Sequence, residues 1–151
     1  MNFGHLILGT LGCFLAIVGF AILLECPKKY LVYAGIIGAV GGCVYLASME
    51  LQTGPVMASF LSALVIAFMS QTFARCLHAP VTIFLIPGIL PTVPGAGMYR
   101  IIYYIMAGQK SKSAYYLIQT LEIAGMIALA IFLVNTFFTV LKQLKCKNTN
   151  K

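Results

Sequence analysis

Charged residues are scarce in this chain of 151 residues: they make up 9% of it, and three of them are acidic. Soluble domains contain roughly 25% charged and 45–50% apolar residues, whereas 61% of this chain is hydrophobic and its mean hydropathy is +0.98. This composition excludes a soluble catalytic domain and predicts an all-α integral membrane protein. A chain of this length has room for a handful of spanning helices, so we expect one transmembrane domain over residues 1–151.

The sequence also lacks the clusters of polar residues on which most enzymes depend. Its five cysteines and two histidines show no metal-ligand spacing and no C-x-x-C pair. It has no H-E-x-x-H motif, no nucleotide-binding glycine loop and no Ser/His constellation inside an apolar run. Glu122, deep in such a run, has no acidic neighbour. We therefore expect no enzyme activity, no metal and no cofactor.

Basic residues give the chain a formal net charge of +7. They stand at the ends of apolar runs rather than on one face, which argues against nucleic-acid binding. In membrane proteins such residues favour the cytoplasmic side. With five crossings and the N-terminus outside, Lys28, Lys29, Arg75 and the lysines of the C-terminus are cytoplasmic, while Lys110 and Lys112 are outside. A re-entrant fourth segment would instead place the C-terminal lysines outside.

Five apolar runs are separated by short polar stretches. They cover residues 3–24, 30–49, 55–74, 81–107 and 114–141, and a polar basic tail follows at 142–151. Each run can cross about 30 Å of hydrocarbon at about 1.5 Å per residue, which predicts about five transmembrane segments. In the second run, Ala34, Gly38 and Gly42 form a small-residue stripe that allows close approach of another helix. That helix could belong to this chain or to a partner.

The fourth run is interrupted by prolines and glycines; residues 80–100 read PVTIFLIPGILPTVPGAGMYR. Each internal proline removes an amide donor and obstructs the carbonyl group four residues earlier. Non-helical backbone persists in a bilayer only where it is buried in protein or lines a cavity. We therefore predict a discontinuous helix, with half-helices at about 81–86 and 96–107 joined by a non-helical crossing near mid-membrane. The alternative is a proline kink whose glycines only allow close packing.

Discontinuous helices bind substrates in many secondary transporters. Free amide groups at the start of the second half-helix favour an anion, and free carbonyl groups at the end of the first suit a cation, so a zwitterion could lie between them. The predicted substrate-binding residues are Pro87, Gly88, Pro91, Pro94, Gly95, Ala96, Gly97, Tyr99 and Arg100.

One ionisable side chain lies deep in the fifth run. Glu122 shares a helix face with Tyr115 and Gln119, which precede it by seven and three residues. An ionisable group inside the membrane is a functional candidate because its burial is costly. We predict that Glu122 and Gln119 take part in proton coupling and that Arg100 clamps a carboxylate. Glu122 could instead be a structural partner of Arg100 or of a tyrosine hydroxyl.

The motif IPGILPTVPG at residues 86–95, followed by MYR at 98–100, resembles the signature of the bacterial threonine/serine exporter family. It is similar in particular to the small subunit, which corresponds to the C-terminal transmembrane half of single-chain members. The resemblance implies an inner-membrane subunit of a two-component secondary transporter, working in lipid with a larger membrane subunit. The implied solutes are threonine and serine, exported with proton coupling. The alternatives are export of small dicarboxylates such as succinate, and a non-transporting scaffold or regulatory subunit.

Overall fold

The computed structural model describes the backbone of residues 3–149 and the side chains of residues 7–143. Within that part of the chain all regular structure is helical, which confirms the predicted all-α membrane fold with a broken fourth segment. The helices are α1 (Phe3–Leu23), α2 (Lys28–Glu50), α3 (Pro55–Cys76), α4 (Thr82–Ile89), a 3-10 turn (Leu90–Thr92), α5 (Gly95–Met106) and α6 (Lys110–Thr149).

Helix length and composition identify the candidate membrane spans. Helices α2, α3 and the first 34 residues of α6 are each long and apolar enough to cross a bilayer. The pair formed by α4 with its 3-10 turn and α5 is bent by 46°, and it makes a fourth span if it is counted as one. The part of α1 whose side chains are described, Ile7–Leu23, is apolar but shorter. The five apolar runs of the sequence correspond to α1, α2, α3, the bent pair and α6.

Helix α1 packs on α2 along the small-residue stripe. A methyl group at Gly38 would overlap the side chain of Ile17, and one at Gly42 would lie 2.6 Å from the Cys13 sulfur. Ala34 is fully buried in the largest core cluster. The missing side chains thus let two helix backbones approach closely. The stripe accommodates α1 of the same chain.

The two pieces of the broken segment occupy different places in the bundle. Helix α4 packs against α1, α2 and α3, and Phe84 in its middle is fully buried beside Tyr30, with ring centroids 5.6 Å apart. Helix α5 has no buried residue and contacts α6 alone among the described helices. The core therefore surrounds α4, while α5 lies at its edge.

A glycine turn folds α5 back on α6. Gly108 has a φ of 73°, which residues with side chains rarely adopt. Its amide donates to the Ile105 carbonyl oxygen at 3.0 Å, and the Gln109 amide donates to the Tyr104 carbonyl oxygen at 2.9 Å. These two bonds form a Schellman motif, which satisfies the carbonyl groups of the last turn of α5. Helix α6 can therefore begin two residues later.

Candidate functional site

The first half of the broken helix is longer than the sequence predicts. Helix α4 continues through Pro87 to Ile89 instead of ending near residue 86. Pro87 has no amide to donate to the Ile83 carbonyl oxygen, and that oxygen accepts a hydrogen bond from the Cys26 thiol at 3.9 Å instead. The predicted boundary is wrong: the helix continues past the proline, and the carbonyl group that Pro87 leaves free contacts a side chain from the α1–α2 connection.

The break itself is short. A 3-10 turn follows α4 directly and ends at Thr92, whose hydroxyl donates to the Ile89 carbonyl oxygen at 2.7 Å. Val93 is extended, and Pro94, with φ −78° and ψ 53°, forms an inverse γ-turn in which the Gly95 amide donates to the Val93 carbonyl oxygen at 2.8 Å. The non-helical backbone is therefore confined to Val93 and Pro94.

The start of α5 offers fewer free amides than expected. The amide of Gly95 is used in the γ-turn, and the amide of Met98 donates to the Pro94 carbonyl oxygen at 3.2 Å. Ala96 and Gly97 lie between them in the first turn, where a helix has no carbonyl group to offer. No acceptor for either amide is found in the described part of the chain. The positive end of α5 therefore presents two amides rather than four.

An open cavity of about 460 Å³ lies where the break meets α2, α3, α5 and α6. Its volume is within the range of roughly 300–1,000 Å³ that is typical of small-molecule sites. Six predicted site residues line it, namely Pro91, Pro94, Ala96, Gly97, Arg100 and Gln119. The structure thus brings the residues after the break together with one polar side chain of α6.

Three further hydroxyl groups line the cavity. Those of Ser59, Thr92 and Thr120 each donate to a carbonyl oxygen of their own helix or turn, at 2.7, 2.7 and 2.6 Å respectively. Because each hydroxyl proton is used in this way, the oxygen atoms are left as hydrogen-bond acceptors. The cavity wall therefore combines the positive end of α5 with several neutral acceptors.

Most residues that line the cavity are not among the site residues predicted from sequence. Two of them could have been predicted from sequence, because Thr92 lies between Pro91 and Pro94 and Thr120 directly follows Gln119. Tyr45 and Tyr116, which also line the cavity, are indistinguishable in sequence from interfacial tyrosines. Ser59 is indistinguishable in sequence from a serine that packs between helices.

Arg100 lies on the second turn of α5. Its side chain is exposed, and its guanidinium carbon is 5.3 Å from the centroid of the Tyr116 ring. This distance allows a cation–π contact, which leaves the guanidinium hydrogens available for other partners. Among the described side chains Arg100 has no carboxylate partner, so the predicted alternative of an Arg100–Glu122 pair is wrong for this structure.

Glu122 does not line the cavity. Its side chain is exposed on the outer surface of α6 and has no hydrogen bond or ion pair with any described residue. The alternative of a tyrosine hydroxyl as its partner is therefore not found either. Gln119, one turn earlier, is half-buried and faces the cavity. The helix face with Gln119 and Glu122 therefore lies at the edge of the cavity, with Gln119 on the cavity side and Glu122 on the outer side.

Four other predicted binding residues also lie outside the cavity lining. Pro87 is fully buried, and a methyl group at Gly88 would be 3.1 Å from the Ile66 side chain, so both pack in the core. Gly95 is exposed with open space around it. Tyr99 is 69% exposed and stacks on Tyr103 outside the cavity, with ring centroids 6.3 Å apart. Their assignment to binding remains a prediction from sequence.

Many secondary transporters have a discontinuous helix beside their substrate site, and the break and cavity of this chain share that feature. The family model described as "Threonine/Serine exporter, ThrE" matches residues 9–137. The chain therefore belongs to the threonine/serine exporter family and is a transporter of that type. No solved structure matches the chain.

Proposed function

We propose that this chain is the membrane subunit of a two-component secondary transporter that exports threonine and serine from bacteria across the inner membrane, driven by the proton gradient. The cavity beside the break carries this proposal. It combines two free amides, a guanidinium group and neutral acceptors in one open space.

The positive groups of the cavity suit a carboxylate. Ala96 and Arg100 are four residues apart and therefore lie on the same face of α5. The free amides of Ala96 and Gly97 add the partial positive charge of a helix N-terminus. A solute carboxylate could accept hydrogen bonds from these amides and from the guanidinium group together.

The acceptors suit the remaining groups of a hydroxy amino acid. The hydroxyl oxygens of Ser59, Thr92 and Thr120 and the amide oxygen of Gln119 can accept hydrogen bonds from an ammonium group and from a side-chain hydroxyl. A dicarboxylate would need a second cationic group, and Arg100 is the one formally charged side chain among the lining residues. The cavity thus favours a solute with one carboxylate over succinate-like compounds.

The outer surface of α6 supports the two-component part of the proposal. Glu122 is twelve residues after Lys110, which corresponds to about 18 Å along the helix. A carboxylate facing lipid at such depth is costly, and carboxylates inside membranes almost always face protein or a water-filled cavity. We therefore expect the larger subunit to cover Glu122 and the neighbouring α5, which has no buried residue. Proton binding by Glu122 at this covered surface would provide the coupling.

The test is amino-acid efflux from an export-deficient bacterium loaded with a threonine-containing dipeptide. This chain is expressed with and without its candidate larger subunit, and threonine and serine release is measured. We expect release to require both chains and to be lost in Arg100→Ala and Glu122→Gln. Lys110→Ala is the matched control, because Lys110 is an exposed basic residue at the start of α6. Cells with this variant should export normally.

Two results would contradict the proposal. If the assembled pair releases succinate but neither threonine nor serine, the solute is a dicarboxylate and not a hydroxy amino acid. Undiminished threonine release when this chain carries Arg100→Ala and Glu122→Gln together, with both subunits present, would make it a scaffold for a partner that transports alone.

A further inference from the structure

A second, smaller pocket of about 220 Å³ lies between α3, α4 and α6. Its lining is mostly apolar but includes Gln71, Thr82 and Asn135. The Gln71 amide nitrogen donates to the Asn135 side-chain oxygen at 3.1 Å. This bond leaves the Gln71 oxygen and the Asn135 amide hydrogens without partners among the described residues. The carboxamide pair therefore presents both an acceptor and donors at the pocket.

Both pockets are lined by α3, by the broken segment and by α6, and they lie one after the other along these elements. On α6 the first cavity reaches Ile123 and the second pocket begins at Ile131, a separation of about 12 Å along the helix. On α3 the corresponding residues are Ser59 and Ala67. The broken segment has the same order, since Pro91 lines the first cavity and α4 lines the second pocket.

An apolar cluster closes the interval between the pockets. Ala63 on α3 and Ile127 and Ala130 on α6 are buried there, and Ile89 and Ile123 pack against them. The two pockets are therefore separated by an apolar interval about two helical turns long.

We propose that the two pockets are the two ends of one solute path between α3, α4 and α6, and that the Gln71–Asn135 pair is a second binding site for a small zwitterionic solute. This inference rests on the proposed transport function. The pair has no formal charge, so it suits a solute whose ammonium and carboxylate charges cancel. In the orientation expected from the basic residues, this pocket lies toward the cytoplasmic side, near Arg75, and the first cavity lies toward the outside, nearer Lys110.

The test measures whether each pocket is wet, and from which side. Ala67→Cys probes the second pocket and Ala96→Cys the first cavity. Leu133→Cys is the control for a position on the outer surface of α6. Leu133 is 48% exposed and Ala67 is 2% exposed, so surface exposure alone would make Leu133→Cys the faster of the two. A membrane-impermeant maleimide is applied to right-side-out and inverted vesicles that contain both subunits. Peptide-resolved mass spectrometry distinguishes each engineered cysteine from the native ones.

We expect Ala67→Cys to react at least about tenfold faster than Leu133→Cys in inverted vesicles, and threonine to slow that reaction. Ala96→Cys should react faster in right-side-out vesicles. Gln71→Met, which keeps a side chain of similar length, should raise the threonine concentration needed for half-maximal efflux while the complex still assembles. A purely structural bond between α3 and α6 would not change that concentration.

The outcomes separate this inference from the proposed function. If Ala67→Cys is no more reactive than Leu133→Cys while wild-type efflux is normal, the path runs elsewhere and the inference is overturned. If both probes react from the expected sides but threonine neither protects them nor leaves the cells, the path is upheld and the solute assignment is overturned.

Discussion

The two halves of the broken helix have similar proline- and glycine-rich sequences but opposite surroundings. In α4, Pro87 and Gly88 are buried against α2 and α3. In the break and α5, Pro94 and Gly97 line an open cavity. The comparison shows that helix-breaking residues serve two purposes in one segment. The first pair allows dense packing in the core, and the second allows the backbone to turn at the cavity, where Gly97 also leaves room for the Thr120 side chain of α6.

This difference assigns expected phenotypes to the two halves. Helix α4 is held by three neighbours, so a change there should disturb folding and assembly. Helix α5 contacts α6 alone among the described helices, and two non-helical residues connect it to the rest of the segment. A change there should alter transport more than stability. The predictions below test this division, beginning with the largest expected effect.

Gly88→Leu should greatly reduce the amount of folded protein. The first side-chain carbon alone would lie 3.1 Å from Ile66 and 3.4 Å from Ile37, and overpacking of a dense core costs about 1–3 kcal/mol or more. Recovery of monodisperse protein in detergent measures the effect. Gly95→Ala is the matched control, because no atom lies within 4 Å of the added methyl group. Equal recovery of both variants would show that Gly88 is not needed for packing of the core.

Gly97→Val should reduce threonine efflux by about tenfold or more without loss of the assembled complex. A side chain at this position would overlap the Thr120 hydroxyl, and a displacement of about 1 Å at a site can cost about a hundredfold in activity. Efflux and copurification of the two subunits are measured together. Loss of assembly with this variant would show that α5 belongs to the packed core.

Arg100→Lys should raise the threonine concentration for half-maximal efflux, and Arg100→Ala should raise it so far that release from cells is lost. A hydrogen bond to a charged group contributes about 1.5–3 kcal/mol, or roughly 10- to 100-fold in affinity. Lysine keeps the charge but loses the paired donors. Concentration-dependent efflux from vesicles measures the change. Identical curves for wild type and Arg100→Ala would remove Arg100 from the binding site.

Cys26→Ala should have the smallest effect, about 1 kcal/mol of stability. It leaves the Ile83 carbonyl oxygen without its thiol donor, but a thiol is a weak donor and water can partly replace it. Cys26→Ser keeps a donor and should be less destabilising. The thermal unfolding midpoint of the purified protein measures both. If serine and alanine lower it equally, the thiol has no part in allowing α4 to continue through Pro87.

Much of the architecture could be predicted from sequence, because membrane spans depend on the length of apolar runs and breaks on proline and glycine. The continuation of α4 past Pro87 could not, since the groups around it, Cys26 among them, are distant in sequence. The outward direction of Glu122 could not be predicted either. Lipid-facing and buried positions of α6 are both apolar, so hydrophobic periodicity does not identify an inner face. The cavity was predicted from the break, but its acceptors come from helices distant in sequence.

The turn at Gly108 joins α5, which lines part of the cavity, to α6, which carries Glu122 on its outer surface. The Ser113 hydroxyl donates to the Ile101 carbonyl oxygen at 3.2 Å, and the Tyr104 and Tyr116 rings stack with centroids 5.4 Å apart. Helix α5 is thereby fixed to the start of α6, while the non-helical Val93 and Pro94 join it to the rest of the broken segment. If assembly with the proposed larger subunit changes the affinity for solute at the cavity, linkage requires a reciprocal effect. Assembly would change the affinity for solute at Arg100 by some factor. Bound solute must then change the affinity of the two subunits for each other by that same factor.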